Sequence, residues 1–163
     1  MIRFHTTHGD FTVELFDKEA PISVENFLKY VDDEHFDGTI FHRIVPGFVI
    51  QGGGLTPDFQ PKKTRAPIAN EATNGLKNQR GTLSMARTNE VISATSQFFV
   101  NLSDNAFLDH SKAQFGYAVF GRVSEGLDVV DAIAAVRTGT RKHYQDAPLE
   151  EVAIVSARRI DGA

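Results

Sequence analysis

The chain has 163 residues, a formal net charge of -4 and a 41% hydrophobic content, with no Cys and no Trp. That length suits one domain, spanning 1–163, with a sizeable core of its own. The charge balance gives no electrostatic reason to expect nucleic acid or an anionic membrane as partner, and the missing thiols exclude a disulfide framework, a zinc–thiolate site and a Cys nucleophile.

Residues 2–7 and 10–16 read as two strands joined at His8-Gly9. In the second, Phe11, Val13 and Leu15 alternate with Thr12 and Glu14, the period of a sheet with one buried face. The period then changes. Val24, Phe27, Leu28 and Val31 form one face of an amphipathic helix over 21–32, with Pro21 in its first turn, where a missing N–H costs little. Such a helix would cover one open end of a barrel. Strand-like runs at 39–44 and 48–51 flank Val45-Pro46-Gly47, a strong turn signal. In the first run, period two puts Phe41 and Arg43 on one face and His42 on the other. The stretch 52–79 is rich in Gly, Pro and polar residues, and reads as a long surface loop whose length suggests a binding role. Further strands are expected over 81–86, 96–101, 117–123 and 151–160. A second helix is expected over 126–135, with Leu127, Val130 and Ile133 or Ala134 facing inward. No crossover helices separate the strands, which favours an antiparallel barrel over βαβ units.

Several chemistries lack their residues. Gly52-Gly53-Gly54 has neither GxGxxG spacing nor a GK[ST] sequel, and reads as a close backbone approach beside a strand. No GxSxG surrounds Ser84, Ser93 or Ser96, no HExxH is present, and the acids are scattered rather than paired across a cleft. Asn101-Leu102-Ser103 matches a glycosylation sequon but falls in an expected strand. The opening residues lack a secretory-signal pattern and no segment is long enough to span a bilayer, so a cytoplasmic location is expected.

One segment asks for more than core packing: Phe41-His42-Arg43-Ile44 through Phe48-Val49-Ile50-Gln51-Gly52-Gly53-Gly54. Taken alone, Arg43 reads as a surface residue. Beside Phe48 and Gln51 it offers a rigid donor fork over an apolar floor, suited to a peptide carbonyl. The run Ser96-Gln97-Phe98-Phe99-Val100 repeats that chemistry. Gln97 and Phe99 share one face and Phe98 and Val100 the other, but period two does not say which face is interior. Phe107-Leu108 adds an apolar pair inside a polar loop, readable equally as groove wall or as local loop packing.

From Phe4 to about Ile160 the chain resembles a cyclophilin, most closely the small single-domain bacterial type. The resemblance rests on the two blocks above together with Gly81-Thr82-Leu83-Ser84-Met85-Ala86 and Val119-Phe120-Gly121-Arg122-Val123, all in order. It implies an all-β, mainly antiparallel, closed eight-stranded barrel capped by two helices, with its groove outside the barrel. The implied activity is peptidyl-prolyl cis–trans isomerisation assisting protein folding, without cofactor, metal or covalent intermediate. By the same resemblance Arg43 is catalytic, and Phe48, Val49, Phe99 and Leu108 form a proline pocket. Gln51, Gln97 and the backbone around Ala86 and Arg87 hold the extended substrate. Phe107 stands where cyclosporin-sensitive members have Trp, Tyr117 where they have a groove His, and Val49 replaces a common Met. Weak cyclosporin binding is therefore expected. The implied partners are proline-containing peptides and unfolded or loop segments of proteins, taken by a monomer. The alternative on the same fold is a non-catalytic proline-peptide-binding or chaperone module, which a protease-coupled isomerisation assay would separate.

Overall fold

The protein's structure, a computed structural model describing residues 1–160, begins where the alternation begins. Residues 161–163, the end of the expected domain span, lie outside the described residues. In β1 (Ile2–Thr6), Ile2 and Phe4 are fully buried, and in β2 (Gly9–Leu15), Phe11 and Val13 are. The next strands are β3 (Arg43–Val45), β4 (Val49–Gly52), β5 (Thr82–Met85), β6 (Phe98–Asn101) and β7 (Val119–Glu125), with β10 (Ile154–Arg159) last. They form one antiparallel sheet in the order β10-β1-β2-β7-β5-β6-β4-β3. The sheet curls until its ends meet, but "closed" overstates the junction. Strand β3 is not laddered to β10. The seam is an isolated bridge, Ile40 to Ala153, with Phe41 N–H donating to Val152 O at 2.9 Å and Ile154 N–H donating to Thr39 O at 2.8 Å.

The expected strand over 39–44 therefore shrinks to β3, and its face assignment changes. Phe41 lies inside the barrel against Phe98, whereas Arg43 points out into a groove. The two do not share a face, because residues 39–42 cross over Gly52 without keeping the pleat. An ideal Cβ on Gly52 would sit 2.6 Å from Ile40 O, so only glycine admits that crossing. The Pro46-Gly47 turn is present, with Gly47 at φ 74 and Phe48 N–H bonded to Val45 O at 3.0 Å.

Helix α1 (Pro21–Asp32) buries Val24, Phe27 and Val31 with Leu28 partly covered, and also Ser23, Asn26 and Tyr30. Ala20 cannot cap its free N–H groups. Glu71, from the long segment after β4, does so instead. Its Oε1 accepts from Ser23 N–H at 2.6 Å and from Ser23 Oγ at 2.8 Å, and its Oε2 accepts from Ile22 N–H at 3.2 Å. Helix α2 (Leu127–Ala134) buries Val130 and Ile133, with Leu127 and Ala134 partly buried against the same core.

One hairpin has no counterpart among the expected elements: β8 (Thr138–Arg141) and β9 (Tyr144–Pro148). Its strands carry little apolar alternation. Its turn uses Lys142 and His143 at φ 44 and 75, which no Gly or Asn advertises. Tyr144 and Ala147 cover a small satellite core of Ile40, Leu55, Phe59 and Ala153.

Phenylalanines fill the barrel. Phe98 packs against Phe4, Phe27 and Phe36 with ring centroids 5.5–5.6 Å apart. A barrel filled this way leaves binding to its outer surface.

Candidate active site

Register, rather than any single strand, assembles the site. Arg43 pairs with Gln51, Gln51 with Phe99, and Phe99 with Ser84, so one row crosses β3, β4, β6 and β5. Residues opposite one another in a ladder point to the same side. The next row, Ile44, Ile50, Val100 and Leu83, is fully buried in the core. The row of Arg43 is thus outward, and the ambiguity over Phe98 and Phe99 is resolved: Phe98 is interior, Phe99 lines the groove.

Nine residues enclose a cavity of about 260 Å³ there: Arg43, Phe48, Val49, Gln51, Ala86, Arg87, Phe99, Leu108 and Tyr117. Its apolar part is a cluster of its own, Val49, Ala86, Phe99 and Leu108 with Phe48 and Tyr117 at the edge. Two sequence candidates stand at the rim instead. Gln97 accepts at Oε1 from Gln51 Nε2, 3.0 Å away, which leaves Gln51 Oε1 and the Gln97 amide N–H groups for a ligand. Phe107 is 63% exposed and stacks on Phe48, centroids 5.4 Å apart. Gln97 fits because residue 54 is glycine; a Cβ at Gly54 would fall 2.5 Å from Gln97 Cγ. The glycine run is a close-packing device, and none of 52–79, the stretch whose length suggests a binding role, lines the cavity.

Arg43 extends beside Phe48, its Cζ 5.7 Å from the ring centroid, and enters no ion pair among the described residues. Arg87 is held differently. Its Nε and Nη2 donate to Gly116 O at 3.2 and 2.9 Å, its Nη1 donates to Thr88 O at 2.8 Å, and its Cζ lies 4.6 Å from the Tyr117 ring centroid. Tyr117 in turn meets Phe99 edge-on at 5.7 Å.

A buried amide network that sequence reading missed supports these walls. Asn105 Nδ2 donates to Phe48 O at 3.0 Å and to Asn101 Oδ1 at 2.9 Å, and Asn101 Nδ2 donates to Asn78 Oδ1 at 3.1 Å. Asn78 donates through N–H and Nδ2 to Asp109 Oδ1, beside Leu108. Asn101, the residue of the sequon, is 0% exposed and committed to this network. The sequence signal is slight: Asn101 and Asn105 between Phe99 and Leu108.

His42, next to Arg43 in the chain, is buried on the other side, edge-on to Tyr144. Burial first, and the Arg43 charge second, push its pKa down to about 4.

The whole chain has counterparts. Residues 1–159 match the model of the cyclophilin-type peptidyl-prolyl cis–trans isomerase family. A peptidyl-prolyl cis–trans isomerase of Streptomyces antibioticus is 56% identical, over 96% of each chain. Peptidyl-prolyl cis–trans isomerase B of Escherichia coli is 52% identical, covering 96% of this chain and 97% of its own. The crystal structure of a Cryptosporidium parvum cyclophilin, solved in the presence of the dipeptide Ala-Pro, superposes with a TM-score of 0.84 at 28% identity over 99% of both chains. With an eight-stranded barrel, an outer apolar groove and this agreement over nearly its full length, the chain belongs to the cyclophilin-type peptidyl-prolyl cis–trans isomerases.

Proposed function

We propose that this isomerase turns over Xaa-Pro bonds in the cavity beside Arg43, with Arg43 as its catalytic residue. The observation that carries the reading is the Arg43 guanidinium at the edge of an apolar pocket, without an ion pair among the described residues. The target bond has a barrier of about 18–20 kcal/mol from amide resonance. Twisting it by about 90° destroys that resonance and frees the lone pair on the prolyl nitrogen. A guanidinium donating to that nitrogen bonds to something present only in the twisted state, which is differential binding of the transition state.

The pocket of Phe48, Val49, Phe99 and Leu108, with Tyr117 beside it, grips the pyrrolidine ring while the acyl part turns. Its apolar walls lower the local dielectric, so the Arg43 bond counts for more. Gln51, Gln97 and the backbone at Ala86 and Arg87 hold the extended chain. An acceleration of about 10⁵ requires roughly 7 kcal/mol, more than one charge-assisted hydrogen bond supplies, so orientation by these groups shares the work. No step calls for a nucleophile.

Phe107 supports a weak affinity for cyclosporin. A phenyl ring there has no N–H to donate, unlike the Trp of sensitive members. The same reading takes the chain as one domain and a cytoplasmic monomer acting on unfolded or loop segments that contain proline. No described helix is long and apolar enough to cross a membrane.

The decisive experiment is Arg43→Ala. It keeps the fold, because the Arg43 side chain makes no hydrogen bond among the described residues, and lowers kcat/KM for an Ala-Pro peptide by at least about tenfold, or ~1.4 kcal/mol. Turnover near that of the unaltered protein removes Arg43 from the chemistry.

A further inference from the structure

Among the described residues, the groove is lined by two guanidinium groups and no carboxylate. Arg43 and Arg87 are its charged lining residues, while the chain as a whole carries a net charge of -4. The site thus runs against the sign of the molecule. Five arginines outside the groove, Arg65, Arg80, Arg122, Arg158 and Arg159, each meet an Asp or Glu, whereas Arg3, Arg137 and Arg141 do not. Among the described residues, neither Arg43 nor Arg87 does. Asp109, in the loop behind Leu108, accepts at Oδ1 from Asn78 N–H and Nδ2 instead. Glu90, three residues beyond Arg87, pairs with neither guanidinium.

Arg87 is also fixed, which a merely solvated arginine is not. Three of its N–H groups are bound to the carbonyls of Gly116 and Thr88, and the face of the guanidinium lies on Tyr117. One N–H remains on each Nη atom. Arg87 follows β5 by two residues, whereas Arg43 is on β3, three strands away. At the usual strand spacing that separates their backbones by roughly 14 Å, with the apolar pocket between. An extended peptide whose proline fills the pocket advances ~3.3 Å per residue, so side chains within about three residues of the proline come within reach of Arg87.

We propose that Arg87, clamped on Tyr117, makes this groove select proline segments bearing Asp or Glu close to the isomerised bond. The inference rests on the reading that the cavity beside Arg43 is the reaction site. Charge complementarity is the physical cause: an acidic side chain meets fixed, unneutralised cations over low-dielectric walls, and a Lys meets repulsion. Arg87 retains two N–H groups for a carboxylate without giving up the contacts that hold it.

The test uses matched Ala-Pro peptides carrying Glu, Gln or Lys at each of the positions flanking the dipeptide, with isomerisation measured on the full chain. At ~20 mM salt the best Glu peptide has a kcat/KM about threefold to tenfold above its Gln counterpart, with Lys lowest; at ~0.5 M salt the ratio falls toward one. Arg87→Gln brings the Glu-to-Gln ratio toward one at low salt, and Arg87→Lys, which keeps the charge, restores most of it. A ratio of one in the unaltered protein at low salt, a preference for Lys, or a Glu preference that survives Arg87→Gln overturns the proposal. Should Arg87→Gln not fold, a Glu-to-Gln ratio of one in the unaltered protein at low salt still overturns the proposal. Arg43→Ala separates the two readings. If it slows every peptide while the unaltered protein shows no Glu preference, only the role of Arg87 falls; if it slows none, the site itself was misread.

Discussion

Phe98 and Phe99 are neighbours in the chain, nearly equal in burial at 0% and 5% exposed, and opposite in what they do. Phe98 sits in the barrel among Phe4, Phe27 and Phe36. Phe99 sits on the outer side of the same strand with Val49, Ala86 and Leu108, beneath Tyr117. The inner cluster is surrounded by the curled sheet and its two helices, so its apolar demand is met within the fold. The outer cluster is covered on one side only, and its open side carries Arg43, Gln51 and Arg87. Burial alone does not tell a core residue from a groove residue; the side of the sheet does.

The sharpest way to break this comparison is to truncate both rings. Phe98→Ala leaves a void that packed neighbours cannot fill and costs about 3–5 kcal/mol of stability, read by urea denaturation. Phe99→Ala costs less stability, since water can enter the vacated space. It lowers kcat/KM by at least about tenfold with the far-UV spectrum kept. Equal stability losses without a selective loss of turnover would erase the distinction.

The second test concerns the seam where the sheet closes, where His42 is buried against Tyr144 and its Nδ1 has no partner among the described residues. Its pKa is about 4 when folded against 6.5 when free, so the unfolded chain takes up the proton first. Stability from the neutral ring is complete above pH 6.5, declines as pH falls, and levels off near 4, a loss of up to about 3 kcal/mol. His35, also lowered, chiefly by burial and then by the Lys62 charge, acts in the same direction. Asp32, Asp37 and Asp131, lowered from 3.8 mainly by hydrogen bonds from Arg159, Arg158 and Arg80, act below that window. The urea midpoint measured from pH 7 to 4 should fall, and His42→Gln should remove at least half of the slope. A flat profile means that the ring is hydrated or its proton accommodated.

The smallest effect sharpens the groove's edge. Phe107→Trp, on the exposed ring stacked over Phe48, adds an N–H without touching the interior and should tighten cyclosporin binding by about tenfold or less, with stability unchanged. Calorimetry on both forms decides, and nanomolar affinity in the unaltered protein would show that the indole is not needed.

Most elements were legible because their periods are strong. β1, β2 and α1 begin and end within a residue or two of the sequence reading, and the inward faces of α1 and α2 contain the residues that periodicity selects. The hairpin β8–β9 was not legible, since its turn rests on Lys142 and His143 and its strands bury little. The shared face assigned to Phe41 and Arg43 failed because alternation was extended through 41–42, where the backbone crosses Gly52 and is not pleated.

By itself the sequence determined the residue types available: apolar alternation for a barrel, a guanidinium and amides among aromatics, and a set of ordered blocks that a cyclophilin shares. Tertiary structure alone decided which side of each strand faces water and which distant residues meet. Arg43, Gln51 and Phe99 become one row through the pairing of β3, β4 and β6, while Arg87 and Tyr117 meet across a loop. Period two is symmetric between a strand's faces, and only closing the sheet around its phenylalanines makes one of them the inside.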